Sequence, residues 1–228
     1  MTHFGRRWGV RCCVILGGLL AAGAGQRAAA DETEVRQFTV QVDGKNAGQY
    51  LMTISRRGGG VESMSGQASV KVRVLFKTYT YNYNGTEHWK NGRLQQLESN
   101  TDDDGKRFAV RAVAEGNSLR VTVNGQAHTA RPDVWPTTHW KLPPSEHHNK
   151  AVPLLDADTG KAMDGHLQYN GVQQLTVGGR PQSCYHFRVT GGPFPVDLWY
   201  DGAHRLVREE FTVDGHRTAF ILSGLRRQ

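Results

Sequence analysis

The sequence predicts an all-β protein, a curved antiparallel sheet or open half-barrel built from hairpins. The turn dipeptides Asp-Gly and Asn-Gly occur nine times after residue 30, and both accept the positive φ that tight hairpin turns need. Between them apolar residues alternate with polar ones, as at Phe38, Val40 and Val42, which is the period of a half-buried strand. Glycine or proline interrupts most windows long enough for a helix, so long helices are not expected.

The first thirty residues have the pattern of a signal peptide. Arg6, Arg7 and Arg11 form a positive start, Cys13 to Ala24 is an apolar run, and small residues end at Ala30. A run of about a dozen apolar residues is too short to span a bilayer, which argues against a membrane anchor. We expect cleavage after Ala30 and a periplasmic or secreted product comprising one β domain, residues 31–228. The arginine pair leaves both the general and the twin-arginine export routes open.

Two segments of the mature chain also fit helical spacing, residues 94–99 and 203–211. The second lies between Asp201-Gly202 and Asp214-Gly215. Strand–turn–strand is the simpler prediction for such a bracketed segment.

The longest uninterrupted segment of the mature chain, without glycine or proline, begins at residue 67 and runs to 84. Its apolar residues are even-numbered up to Phe76, and then Tyr79, Tyr81 and Tyr83 are odd-numbered. Taken as one strand, this change of phase predicts a bulge or a sharp bend. The tyrosine row fits either an aromatic ladder that covers the core or the wall of an apolar ligand cavity.

Residues 131–153 predict one long loop that packs across the sheet. Five of the eight prolines lie here, together with Trp135 and Trp140. A connection this long is usually functional or covers an open end. The sequence supports both a lid that plugs the core and a gate over a cavity.

Charge and cysteine content argue against a nucleic-acid-binding protein and against a disulfide-stabilised fold. Four of the 28 basic residues and none of the 21 acidic ones lie in the first thirty, which leaves a net charge of +3 for the mature part. That balance does not predict a nucleic-acid partner. Cys184 is the one cysteine after the leader, so the fold depends on its apolar core and not on an internal disulfide. We expect Cys184 to be a buried strand residue, and the alternative is a nucleophile.

No catalytic or cofactor motif stands out. Histidine is frequent, but no His-x-x-x-His or Cys-x-x-Cys spacing occurs, and Gly-x-Ser-x-Gly is absent. We therefore assign no catalytic residue, no metal ligand and no cofactor, and favour a protein that is not an enzyme. His166, His186, His204 and His216 would form a site only if folding brought them together.

Three segments resemble an uncharacterised family of exported bacterial β-rich proteins. They are residues 154–160, 197–201 and 205–211, and the sequence from Asp197 to Phe211, with LWYD followed by RLVREEF, is the most specific. In layout that family is similar to periplasmic lipoprotein carriers, which are curved half-barrels that hold acyl chains under a lid. The resemblance implies a concave binding side and gives no catalytic residues.

Three hypotheses of function follow. The first is a periplasmic binding or carrier module for an apolar, lipid-like ligand, bound by Tyr79, Tyr81 and Tyr83 and gated by Trp135 and Trp140. Apolar burial at roughly 25 cal/mol per Å² makes this feasible without a charged anchor. The second is a non-catalytic structural or interaction module of the cell envelope with a solid core. The third is a metal-dependent enzyme that uses histidines brought together by folding. The ligand, the partners and the oligomeric state stay open.

Overall fold

The computed structural model describes residues 31–74 and 77–228, and most of these residues lie in β-strands. The predicted signal peptide, residues 1–30, lies outside the described residues. The strands in chain order are β1 (Glu32–Val42), β2 (Lys45–Arg57), β3 (Val61–Val74), β4 (Lys77–Lys90), β5 (Arg93–Asp103), β6 (Lys106–Glu115), β7 (Ser118–Val123), β8 (Gln126–Ala130), β9 (Trp135–Pro136), β10 (Lys150–Leu155), β11 (Ala162–Val177), β12 (Arg180–Thr190), β13 (Val196–Tyr200), β14 (Leu206–Val213) and β15 (His216–Arg227).

All of these strands belong to one open sheet. Its order runs from β8 back to β1, continues with β15 and ends at β9. Every neighbouring pair is antiparallel except β9 and β10, which are parallel. The all-β, curved antiparallel prediction is confirmed, with the correction that one short parallel pair makes the sheet mixed.

The two edges of the sheet are consecutive in the chain. Only residues 131–134 connect β8 to β9, and a chain of that length spans at most roughly 18 Å. The sheet therefore curves until its edges come near each other at this end. Among the described residues no ladder joins β8 to β9, so the half-barrel stays open.

Five of the turn dipeptides form hairpin turns. Asp43-Gly44, Asn91-Gly92, Asp104-Gly105, Asn124-Gly125 and Asp214-Gly215 all have positive φ at both residues, as the two-residue turns between twisted strands require. The segments 94–99 and 203–211 are strand and turn-then-strand, as expected. Some of the other dipeptides lie inside strands, as Asn84-Gly85 does in β4.

The interpretation of residues 67–84 as one bent strand is wrong. The chain reverses there, and Val74 pairs with Lys77 in the β3–β4 hairpin. Because this pairing places even positions of β3 opposite odd positions of β4, Ala68 lies opposite Tyr83 and both face the same side. The phase changes because the strand direction changes, and no bulge is needed.

The boundaries predicted for the long loop also need correction. Residues 150–153 belong to β10 and Trp135–Pro136 form β9, so the irregular segment is shorter than 131–153. The segment 137–142 then crosses the inner side of the sheet. The core lies between this segment and the strands, and its fully buried side chains include Trp140, Tyr200, Phe38, Met52 and Leu97.

Candidate functional site

The three tyrosines predicted to bind a ligand share the inner face of β4. Tyr83 is buried and packs edge-on against Tyr50, with ring centroids 6.3 Å apart. Tyr81 is partly buried and donates a hydrogen bond to Asp158 Oδ1 at 2.8 Å. Tyr79, which is 40% exposed, donates to Asp103 Oδ1 at 2.6 Å. The row therefore runs from the core to the open end of the sheet.

Two glycines make room for the inner tyrosine rings. Gly66 and Gly85 lie opposite each other in the β3–β4 hairpin. A Cβ at Gly66 would lie 2.6 Å from the Tyr50 hydroxyl, and one at Gly85 would meet the Tyr83 hydroxyl. Tyr83 thus covers a bare backbone, which is a packing role. Its hydroxyl is nevertheless buried without a hydrogen-bond partner in the described part of the chain.

The turn between β10 and β11 also enters the sheet interior. Ser99 donates a 2.5 Å hydrogen bond to the carbonyl of Ala157. Asp158 accepts hydrogen bonds from Tyr81 and Thr101. Burial, together with the neighbouring Asp156, raises the pKa of Asp158 to about 7. This turn is thus fixed to β4 and β5 by an acid that changes charge near neutral pH.

The two tryptophans of the long loop have different surroundings. Trp140 is 1% exposed, its indole N–H donates to Glu87 Oε2 at 2.8 Å, and its ring lies 6.3 Å from that of Trp89. Trp135 is also buried but donates within its own segment, to the carbonyl of Lys141 at 2.9 Å. Trp140 therefore anchors the loop to the sheet, and Trp135 stiffens the loop itself.

Glu87 is the acceptor that holds the loop inside the sheet. The residue is 0% exposed, and its carboxylate accepts hydrogen bonds from Trp89 at 2.7 Å, Trp140 at 2.8 Å and Thr138 at 2.5 Å. Burial raises the pKa of Glu87, and the three donors only partly offset that effect. A buried acid with so many donors is a structural anchor, because removing it would leave three donors unpaired.

A buried ion pair reinforces this anchor from the other side. Arg36 and Glu34 lie two residues apart on the inner face of β1, with Nε and Oε1 2.6 Å apart and both side chains about 1% exposed. Arg36 also donates to the carbonyl of Trp140 at 2.8 Å. Burial would raise the pKa of Glu34, but Arg36 and Arg227 outweigh it and hold that pKa below its usual value.

Two surface cavities border this framework. A cavity of about 410 Å³ lies under the loop and is bordered by Trp135, Trp89 and Leu142. A larger one, of about 980 Å³, lies across β1 to β6. Of the five predicted ligand-binding residues, Tyr83 borders the larger cavity and Trp135 the smaller one, so the five do not line one common cavity.

Seven side-chain amides, none of them among the predicted site residues, contribute to the lining of the larger cavity. They are Gln37, Gln49, Gln67, Asn82, Asn84, Asn100 and Asn124. The first six lie in strands β1 to β5, on the outer face of the sheet. The sequence did contain a signal for these residues, because amides recur at the polar positions of the alternating segments.

Two further reactive side chains, Cys184 and His186, are buried or already hydrogen-bonded. Cys184 is buried as expected, and burial raises the pKa of its thiol. His186 has Asp197 2.8 Å from Nε2 and Gln173 3.2 Å from Nδ1, and its ring stacks on Trp199. Within residues 31–74 and 77–228 no three metal-ligating side chains come together. Over the same residues no helix has the length and apolarity needed to cross a bilayer.

Comparisons with known proteins give a fold and a family. A β-barrel-like protein of the domain of unknown function DUF1849 from Brucella abortus has a TM-score of 0.63 at 9% identity, covering 86% of this chain and 98% of that one. A DUF1329 family protein from Desulfovibrio piger, at 14% identity, covers 88% of this chain and 86% of that one with a TM-score of 0.17. The first similarity shows a shared fold, whereas the TM-score of the second is too low to show one. No curated protein matches the chain. Residues 38–223 match the family model described as "Domain of unknown function (DUF6134)".

Proposed function

The chain belongs to the DUF6134 family, and from its geometry we propose that it is a non-catalytic exported module of the cell envelope. In this proposal the barrel-like interior is a solid core, and binding takes place on the outer surface. This is the second of the three hypotheses that the sequence left open.

The observation that carries the proposal is the occupied interior. Residues 138–140 are tied to three strands: to β4 through Glu87, to β1 through the Arg36 bond to the Trp140 carbonyl, and to β13 through the Tyr200 hydroxyl, which donates to the His139 carbonyl at 2.8 Å. Lifting this segment would leave Glu87 and Arg36 with unpaired groups. Breaking such buried pairs costs about 3–5 kcal/mol, so the segment functions as part of the core and not as a gate.

A second candidate is the carrier of an apolar ligand bound by Tyr79, Tyr81 and Tyr83. Two observations favour it. The Tyr83 hydroxyl is buried without a partner among the described residues, as a group that meets a ligand would be. Trp135 borders the 410 Å³ cavity under the loop. The metal-enzyme hypothesis gains no comparable observation.

Native mass spectrometry and titration with a fluorescent fatty acid separate the two candidates. A solid core predicts protein without co-purified lipid and no saturable uptake of the probe. The variant Tyr83→Phe, which removes only the unpartnered hydroxyl, is then as stable as the unsubstituted protein or slightly more so. The carrier would replace the solid-core proposal if lipid co-purified stoichiometrically and two variants behaved differently. Tyr83→Phe would then weaken lipid binding, and the matched exposed variant Tyr169→Phe would leave it unchanged.

Export needs its own test, because residues 1–30 lie outside the described structure. Expression in a Gram-negative host, followed by amino-terminal sequencing of the periplasmic fraction, is expected to give a chain that begins at Asp31. A full-length protein retained in the cytoplasm would refute the exported part of the proposal.

A further inference from the structure

We propose that the outer groove across β1 to β6, the cavity of about 980 Å³, binds an uncharged oligosaccharide. This inference rests on the proposed function, since it names the ligand of the outer surface.

The groove is formed by two rows of side chains that cross the strands. Strand pairing places Gln37, Leu51, Gln67, Asn84, Asn100 and Ala109 opposite one another from β1 to β6. A second row runs beside it through Gln49, Ser69, Asn82, Asp102 and Arg107. With strands about 4.8 Å apart, the first row is about 24 Å long. A surface of that length suits a chain of several sugar units.

Most of the amides in the groove have free hydrogen-bonding groups. Ser69 donates to Asn82 Oδ1 at 3.0 Å, so that pair is satisfied. The side chains of Gln37, Gln49, Gln67, Asn84 and Asn100 make no hydrogen bond to any described residue and are exposed. Each offers one acceptor and two donors. A sugar hydroxyl is both a donor and an acceptor, so each of these amides is complementary to it.

Three of the amide positions in the groove go against the residue preference of strands. Asparagine is disfavoured inside strands, yet Asn82, Asn84 and Asn100 lie within the long strands β4 and β5. Further along the same outer face the exposed residues are of other types, Glu98 and Arg111. Residues that disfavour the secondary structure in which they lie are expected at functional sites.

The charge of the groove selects the class of ligand. The first row contains no charged residue, and in the second row Asp102 and Arg107 neutralise each other at 3.0 Å. Arg226 is the remaining charged residue among the lining residues that the structure describes. Nucleic acids and anionic lipids would find too few cations here, whereas a neutral polyhydroxylated chain needs none.

The test uses the purified chain and three neutral hexasaccharides, of β1,4-glucose, α1,4-glucose and β1,4-N-acetylglucosamine, in isothermal titration and saturation-transfer NMR. We expect at least one to bind. The double variant Asn84→Thr/Asn100→Thr, whose threonines are well suited to strands, is expected to bind about tenfold more weakly. The control Gln168→Thr, at an exposed amide on β11 outside the groove, is expected to leave affinity unchanged.

Three outcomes would overturn the inference. They are no binding of any hexasaccharide at millimolar concentration, binding that the double variant leaves unchanged, and displacement of the sugar by an extended uncharged peptide of equal affinity. Failure here is distinguishable from failure of the solid-core proposal. If neither sugar nor fatty acid binds, only the assignment of the groove as a sugar site is refuted. Stoichiometric binding of fatty acid would instead refute the solid-core proposal.

Discussion

Replacing Glu87 tests whether the interior segment is a fixed part of the core. The substitution Glu87→Ala removes the acceptor of three buried donors, on Trp89, Trp140 and Thr138. A buried donor left unpaired costs about 1–3 kcal/mol, so three of them, with some relaxation, predict a loss of about 4 kcal/mol in the free energy of unfolding. That is a large part of the 5–15 kcal/mol typical of a domain.

Glu87→Gln is the matched control, because it keeps the shape of the side chain. Its carbonyl oxygen can take the place of Oε2, which accepts from both indoles. Its amide nitrogen then donates to the Thr138 hydroxyl, which reverses its role from donor to acceptor. Since the glutamine also lacks the desolvation cost of a buried carboxylate, we expect a change of about 1 kcal/mol or less.

Urea unfolding at pH 7, followed by tryptophan fluorescence, measures both variants, since Trp89 and Trp140 bond directly to the carboxylate. An exposed acid on the next strand, changed as Glu98→Ala, is expected to stay within about 0.5 kcal/mol of the unsubstituted protein. An alanine variant at Glu87 as stable as the glutamine variant would refute the reasoning, because the loop would then not depend on its buried acceptor.

Three further predictions follow from the same framework. Arg36→Met leaves Glu34 without its nearest cation and the Trp140 carbonyl without its donor, and calorimetry is expected to show a loss of about 3–5 kcal/mol; equal stability would argue against a structural ion pair. Asp158 has a folded pKa of about 7 against roughly 4 when unfolded, so the folded state binds more protons and stability falls as pH rises from about 4 to 7. Because the residue is only partly buried, we expect roughly 2 kcal/mol of this dependence, absent in Asp158→Asn; identical pH profiles of unfolding would contradict it. Gly85→Ala forces a methyl group against the Tyr83 hydroxyl and is expected to lower stability by about 1–3 kcal/mol in thermal unfolding, whereas unchanged stability would show that the ring is free to move.

The hairpin layout was predictable because turn chemistry is local. Asp43-Gly44 and the four dipeptides like it adopt the backbone that their residue types favour. The β3–β4 hairpin was missed because no Asp-Gly or Asn-Gly dipeptide occurs between residues 67 and 83, so the sequence gives no turn signal there. Strands β9 and β10 were missed because Pro136 and Pro153 argue against strands, although proline is tolerated at a sheet edge.

The candidate sites were less predictable because they join residues distant in sequence. Glu87 and Trp140 are 53 residues apart, and no local rule pairs them. One signal was present, since Glu87 falls in phase with Tyr83 and Trp89 and so puts an acid on the apolar face. Glu34 and Arg36 likewise share the phase of Phe38. Charged residues at inward positions indicate a buried network, but its partners appear only with the fold.

Pairing of the first strand with the last has a consequence for how the chain acquires its structure. β1 lies beside β15, and Thr33 exchanges both backbone hydrogen bonds with Gln228. A chain synthesised from its amino-terminus therefore presents β1 with one side unpaired until β15 has been made. Pairing between strands so distant in sequence slows folding and leaves an aggregation-prone intermediate, so we expect a chaperone that covers β1 to raise the yield of folded protein. Conversely, a circular permutant that links β15 directly to β1 and begins at a hairpin such as Asn124-Gly125 is expected to form the β1–β15 pair early.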